Sequence, residues 1–399
     1  MKTIIIDEVA NIVSKGTTPT SIGLSFSIKG IPFLRGENIL GTAVNFSTVK
    51  MFIDENAHQK LNRSALQFGD VLVTIAGTIG RIGHIDSKNV TANCNQAVAF
   101  VRMPQDRIDP IWLCLLLSSP EYQELFAQFV VGGAIPNVSL QQIKSIEIPD
   151  ITIEAQRGIA ARLKTQMAEV EKARKTAEVQ QSDIPTLKIS ALDKLFDYTK
   201  YDPVRIGLHA KLQSGFAFKS KEFKPSGIKL LRNANVSPGE IKWNDVVYLS
   251  EDQEKFFDAY KLKLGDVIIS LDRPLISSGI KSAKLSNKDI PSLLVQRVGR
   301  FILNEEKILP DYLFGFMKTS HFKSAISGHD QSLGVPHISP TQVESIEIPL
   351  PDVNIQKEMA SQISEIIEIE SAIKKATINM MTDLDSLSKR ILSQAFEMN

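Results

Sequence analysis

Apolar positions near the C-terminus recur at the spacing of one helix face. From Ile355 to Ile391, apolar or small residues fall at 355, 359, 363, 366, 369, 373, 376, 380, 384, 387 and 391, a mean step of 3.6 residues. No glycine or proline interrupts 356–399, so the pattern predicts one helix over Ile355–Phe396, roughly 60 Å long at ~1.5 Å per residue. A counterpart face from Glu154 to Phe196 carries Ile159, Leu163, Met167, Val170, Ala173, Ala177, Ile184 and Leu187. Pro185 interrupts it, and a kink or a break with restart is expected near Ser182–Asp183. Ahead of each helix the period changes. Short alternating runs bounded by turn signals, such as Gly69-Asp70 before Val71, Val73 and Ile75, predict strands, with further strands at Gln96–Val101 and Gln296–Ile302. Ser119-Pro120-Glu121 opens a helix, and Ser139-x-x-Gln142 and Ser339-x-x-Gln342 are matching capping boxes.

The two stretches belong to a duplication. Ser145–Pro149 and Ser345–Pro349 both read SIEIP, 200 residues apart, and the same offset relates Gln96 to Gln296, Gln156 to Gln356, Leu187 to Leu387, Leu192 to Leu392 and Phe196 to Phe396. Upstream the offset drifts: Gly69-Asp70-Val71 answers Gly265-Asp266-Val267, and Leu34-Arg35-x-x-Asn38 answers Leu231-Arg232-x-x-Asn235. Offsets that change between strands are loop-length changes. The expected fold is α+β with a pseudo-twofold internal repeat. Two similar mixed α/β domains, 1–150 and 198–350, alternate with two long helices, 151–197 and 351–399. A long helix with one apolar face needs a partner, and its own repeat is at hand. Residues 154–196 sum to +2 and 354–397 to −2. An antiparallel coiled coil is expected, paired through Ile159, Leu163, Met167 and Val170 on one side and Ile363, Ile366, Ile373, Leu384, Leu387 and Ile391 on the other. The alternative is that each helix folds back on its own domain.

Composition narrows the function. With 46 Lys+Arg against 45 Asp+Glu in 399 residues, bulk charge cannot hold a polyanion, although a basic face offset elsewhere can. Cys94 and Cys114 make no disulfide framework and read as core residues. The longest apolar run, Ile111–Leu117, is too short to cross a membrane, and the acidic Asp7-Glu8 after Ile4–Ile6 does not suit a signal peptide; a cytoplasmic protein is expected. No Walker loop or G-x-S-x-G elbow occurs. The six histidines show no metal-ligand spacing. Gly77–Gly83 is glycine-rich without dinucleotide spacing, and no cofactor-binding glycine strand or N-P-P-[YF]-like loop of a base methyltransferase occurs. A non-enzymatic chain that binds neither metal nor cofactor is expected. Recognition remains. Polar side chains gather at strand ends and loop tips: Arg35, Asn38, Thr78, Arg81 and Asn137 in the first half, and Lys219, Lys221, Arg232, Asn235, Asp272, Arg273, Gln331 and His337 in the second. Arginine forks suit guanine edges, Asn and Gln suit adenine, and Lys suits phosphate. Arg35 and Arg232 are equally compatible with a structural role.

The doubled order of Leu-Arg-x-x-Asn, Gly-Asp-Val, SIEIP and long helix, ending in Ser386-Leu-Ser-Lys-Arg-Ile-Leu-Ser-Gln-Ala-Phe396, resembles the specificity subunit of type I restriction–modification systems over nearly the whole chain. The resemblance implies two target-recognition domains, each reading one half of a split site in double-stranded DNA, and helices that set the gap and dock two methylase subunits. S-adenosylmethionine is expected on the methylase partner, and restriction subunits in the full complex. Other readings are a coiled-coil adaptor joining two protein-binding domains, and a target-reading accessory of another DNA-modifying enzyme.

Overall fold

The computed structural model describes residues 2–130, 136–327 and 336–396. The chain forms two compact units, Met1–Ala177 with Asn379–Asn399, and Glu178–Ile378. Each unit therefore contains a head and part of both long helices.

In unit one, strands Ile12–Lys15, Val98–Arg102, Val71–Thr74 and Ile82–His84 lie side by side in that order, antiparallel throughout. A second sheet is centred on Ile31–Leu34 and Ala92–Cys94, which run parallel. Alternation assigns the faces. Val71, Val73, Ala99 and Val101 meet Trp112, Leu113 and Leu116 of helix Pro110–Leu117, whereas Leu72, Val98 and Phe100 meet Leu34 and Cys94 of the second sheet. Both faces are covered, so all of Val71–Thr74 is buried.

Unit two repeats the plan with strands Ala210–Ser214, Val298–Leu303, Val267–Ser270 and Ser282–Lys284 and a parallel pair Ile228–Leu231 and Ser292–Leu294. Val267, Ile269 and Phe301 face Tyr312, Leu313 and Phe316, and Ile268 and Val298 face Leu231 and Leu294. The shared Gly-Asp-Val signal is a turn. Gly69 and Gly265 sit at φ +85° and +87°, and the aspartate after each accepts a backbone N–H three residues back, from Gln67 at 2.7 Å and Lys263 at 2.8 Å. The capping boxes form as expected at Ser139/Gln142 and Ser339/Gln342.

The long helices span Ile153–Leu195 and Val353–Phe396. Of the kink or break expected near Ser182–Asp183, the break does not occur: one helix runs through Pro185. The proline is exposed, so the carbonyl it deprives of a partner can take one from water, while its neighbour Ile184 is buried.

The pairing residues divide between two tasks. In unit one, Leu163 enters the head core together with Leu392 and Ala395 from the other helix, with Ile159 and Ile391 packed against it. Phe396 meets Trp112 edge-on at 6.5 Å between ring centroids. In unit two, Met359 and Ile363 enter the core with Leu192 and Phe196; the Phe196 ring lies 5.0 Å from Tyr312 and 5.3 Å from Phe316. Each head is thus held by the start of one long helix and the end of the other. Within each unit this makes the helices antiparallel, as the ion pairs Arg174–Asp385 (3.4 Å, unit one) and Lys188–Glu370 (3.0 Å, unit two) also require. Met167, Val170, Leu384 and Leu387 are half-buried, and Ile366 packs against the unit-two core. Leu163 and Ile363 serve head packing as much as helix pairing, so both arrangements weighed from sequence are partly realised. Ile373 is 46% exposed and lines a groove together with Leu187 of the other helix and Ile369 of its own.

Gln156 and Gln356 lock these junctions. Both are fully buried. Gln156 accepts from the Asp109 N–H (2.9 Å) and donates to the carbonyls of Arg107 (3.1 Å) and Ile151 (3.0 Å). Gln356 accepts from Leu309 (2.9 Å) and donates to Lys307 (2.8 Å) and Pro351 (2.9 Å). One side chain thus satisfies three backbone groups where helix meets head.

Candidate nucleic-acid interface

In both units the loops leaving one end of the two sheets are tied together by backbone hydrogen bonds. In unit one, Gly16 N–H donates to Val98, Asn95 to Leu34, Ile75 to Ala97 and Val138 to Ile75, at 2.8–3.0 Å. Unit two repeats the set: Gly215 to Val298, Val295 to Leu231, Leu271 to Arg297 and Ile338 to Leu271, at 2.8–3.1 Å. Five chain segments per unit converge on one rim, and their side chains differ between units on the same backbone plan.

On the unit-one rim, Arg35 and Thr78 are exposed and Asn137 bridges to Ala76. Arg35 lies 3.9 Å from Glu37. Arg81 donates from Nη1 to the Gly36 carbonyl at 3.1 Å, which joins two of the loops. On the unit-two rim, Asp272 bridges to His337, and the Arg273 N–H donates to the Pro336 carbonyl at 2.7 Å. Lys219 and Lys221 are exposed around the turn Ser220–Glu222, on the loop that leaves Phe216. Gln331 lies outside the described residues.

Two of the expected base readers are turned into the scaffold, and a third is partly engaged there. Asn38 and Asn235 are buried. Their Oδ1 atoms accept the backbone N–H of Arg35 (2.8 Å) and Arg232 (3.0 Å), and their amides donate to Thr48 or to the carbonyls of Lys242 and Asp245. The repeated Arg-x-x-Asn is a turn lock. Arg232 is half-buried, and its Nη2 meets the side chain (2.9 Å) and donates to the backbone carbonyl (2.7 Å) of Asp245. Arg35, its counterpart, is exposed.

The structure adds residues that the sequence reading passed over. Lys281 donates to the Asn233 carbonyl and side-chain oxygen, both at 2.8 Å. It does in unit two what Arg81 does in unit one. Burial pushes its ammonium below the ordinary lysine range, and nearby Arg273 pushes the same way against Asp272. Arg297 pairs with Asp272. Thr18 donates to Gln96, which places a glutamine of the 200-residue register on the rim. That register was the one sequence signal for Gln96. Among the described residues no group of three or more His, Cys, Asp or Glu could hold a metal ion.

Comparison with known proteins agrees with this organisation. The type I restriction modification DNA specificity domain matches residues 1–181 and again 199–381. The chain is 36% identical over 191 residues to the EcoAI type I restriction enzyme specificity subunit of Escherichia coli, covering 48% of this chain and 32% of that protein. It is 33% identical over 268 residues to the MjaVIII specificity subunit of Methanocaldococcus jannaschii, covering 61% of each. The chain thus spans about a third and about three fifths of these relatives. A solved chain from work on complex assembly and conformational transition of the type I R-M system superposes with a TM-score of 0.73 at 17% identity, over 99% of this chain and 97% of that one. That likeness establishes the fold.

Proposed function

The chain belongs to the type I restriction–modification DNA specificity family, and we propose that it is the non-catalytic subunit that selects the DNA sequence for such a complex. Each unit reads one half of a two-part site in double-stranded DNA. Arg35, Thr78, Arg81 and Asn137 serve the first half, and Lys219, Lys221, Arg273 and His337 the second, with Asp272 supporting the same rim. The unread gap is set by the length of the paired helices. Methylase subunits dock on the helices and carry S-adenosylmethionine, and restriction subunits complete the assembly.

The observation that carries this reading is the duplicated rim. One backbone scaffold, fixed by the same hydrogen bonds in both units, ends in different polar side chains. Such a device suits the reading of two different short sequences, because base edges are told apart by side-chain donors and acceptors on a fixed frame. The near balance of charge suits a subunit that leaves part of the phosphate contact to its partners. No helix among the described residues is long and apolar enough to cross a membrane.

Helix length provides the test. Inserting seven residues at matched places in both long helices keeps the apolar face in register and adds about 11 Å, roughly three base pairs at ~3.4 Å each. Mapping of methylated sites in cells is expected to show both half-sites unchanged and the gap widened by about that amount. An unchanged gap in a folded, methylating variant contradicts the ruler.

A further inference from the structure

Among the described residues, two non-glycine residues have left-handed backbone, Arg273 at φ +45° and Arg297 at φ +67°. Both lie on the unit-two rim. A bulky side chain in that region costs stability, and such strain gathers where a side chain must be aimed. The residue matching Arg273 in unit one is Gly77, at φ +75°, which adopts the same turn at little cost. Unit two has kept the turn and placed an arginine on it.

Arg297 is also anchored. Its Nη1 donates to Asp272 Oδ2 at 2.6 Å; the aspartate side chain is 14% exposed and the arginine side chain 63%. One terminal nitrogen of the fork is thereby held, while the side chain as a whole stays exposed. The loop below it is fixed, because the Leu271 N–H donates to the Arg297 carbonyl at 2.8 Å. The matching positions in unit one are Ala76 for Asp272 and Ala97 for Arg297. Both members of the pair are absent together on an otherwise repeated scaffold. An ordinary surface ion pair needs neither a strained backbone nor a half-buried anchor.

We propose that Arg297, with Asp272 as its positioning residue, reads a guanine edge in the major groove of the second half-site, a contact the first unit does not make. The proposal rests on the DNA-reading function above. Holding the guanidinium in place before DNA arrives lowers the ordering cost of binding, and a fork donating to guanine O6 and N7 is the commonest specific contact to that base.

The test selects bound duplexes from a library with both half-sites randomised, using the complex assembled with methylase subunits. Arg297→Ala and Asp272→Ala are each expected to relax preference by roughly 5- to 150-fold at one and the same G·C pair. The first half-site should be unaffected, and the double variant should be no worse than Arg297→Ala. Arg297→Lys keeps the charge without the fork and should bind with relaxed preference at that pair. Uniform weakening over all sequences with a shallower salt dependence would make Arg297 a phosphate contact and overturn the assignment. So would an unchanged preference. If the unaltered complex selects no two-part sequence, the underlying DNA-reading function fails, and this assignment with it.

Discussion

Replacing Arg102 with methionine is expected to destabilise unit one by about 3–5 kcal/mol at neutral pH. Arg102 grips the fully buried Asp70 with two hydrogen bonds of 2.7 Å, and the Gln67 N–H supplies a third at 2.7 Å. Removing the guanidinium leaves a carboxylate in the interior with one backbone donor. The pH dependence follows from the carboxyl's present state. Burial pushes Asp70 above the ordinary carboxylate range, opposed by Arg102 and the Gln67 N–H. A raised folded pKa means that the folded state holds the proton more tightly than the unfolded one. Stability tied to this group is therefore present at low pH and lost as pH rises through the folded value. Without Arg102 that value rises further, so the deficit should be largest near neutrality and shrink on acidification. Peptide-resolved hydrogen exchange over 71–74 and 98–102 at several pH values reads this directly. A deficit below about 1 kcal/mol, or one that grows on acidification, would show that the pair is not what supports the turn.

Replacing Gln356 with alanine is expected to cost unit two about 3–5 kcal/mol. It orphans one N–H and two carbonyls at a partly buried junction, each at about 1–3 kcal/mol, partly relieved by water or relaxation. The effect should be local. Exchange protection should fall at 307–309, where two of the partners lie, and around Gln356 in the first turns of the second long helix, just after the third, Pro351. Gln156→Ala should do the same at 107–109 and 151–156. Loss of protection spread evenly over unit two would instead indicate that the head and the helix start do not meet through this side chain.

The parts legible in the sequence were those governed by a local rule with a long run behind it. A 3.6-residue period sustained from Ile355 to Ile391 specifies a helix, and an identical SIEIP pentapeptide 200 residues apart specifies a repeat. Pro185 does not break its helix; its cost depends on whether the freed carbonyl faces solvent, which the sequence does not display. Asn38 and Asn235 misled for a related reason. Asparagine that locks a turn and asparagine that reads adenine share one donor–acceptor pattern, and burial alone separates them. Arg297 and Lys281 carry no signal in the sequence, because neither repeats a residue of the first half nor belongs to a motif. Matched positions such as Gln156/Gln356 and Gly69/Gly265 proved to build the scaffold. Side chains that distinguish two half-sites must sit where the halves differ, as Arg297 does against Ala97.

Exchanging residues 1–150 for the head of a related specificity subunit, then mapping methylated sites across the genome, bears most directly on the division of labour between the units. One half of the two-part site should change while the other half and the gap persist. Replacement of both halves, or retention of both by an assembled and methylating complex, would contradict it.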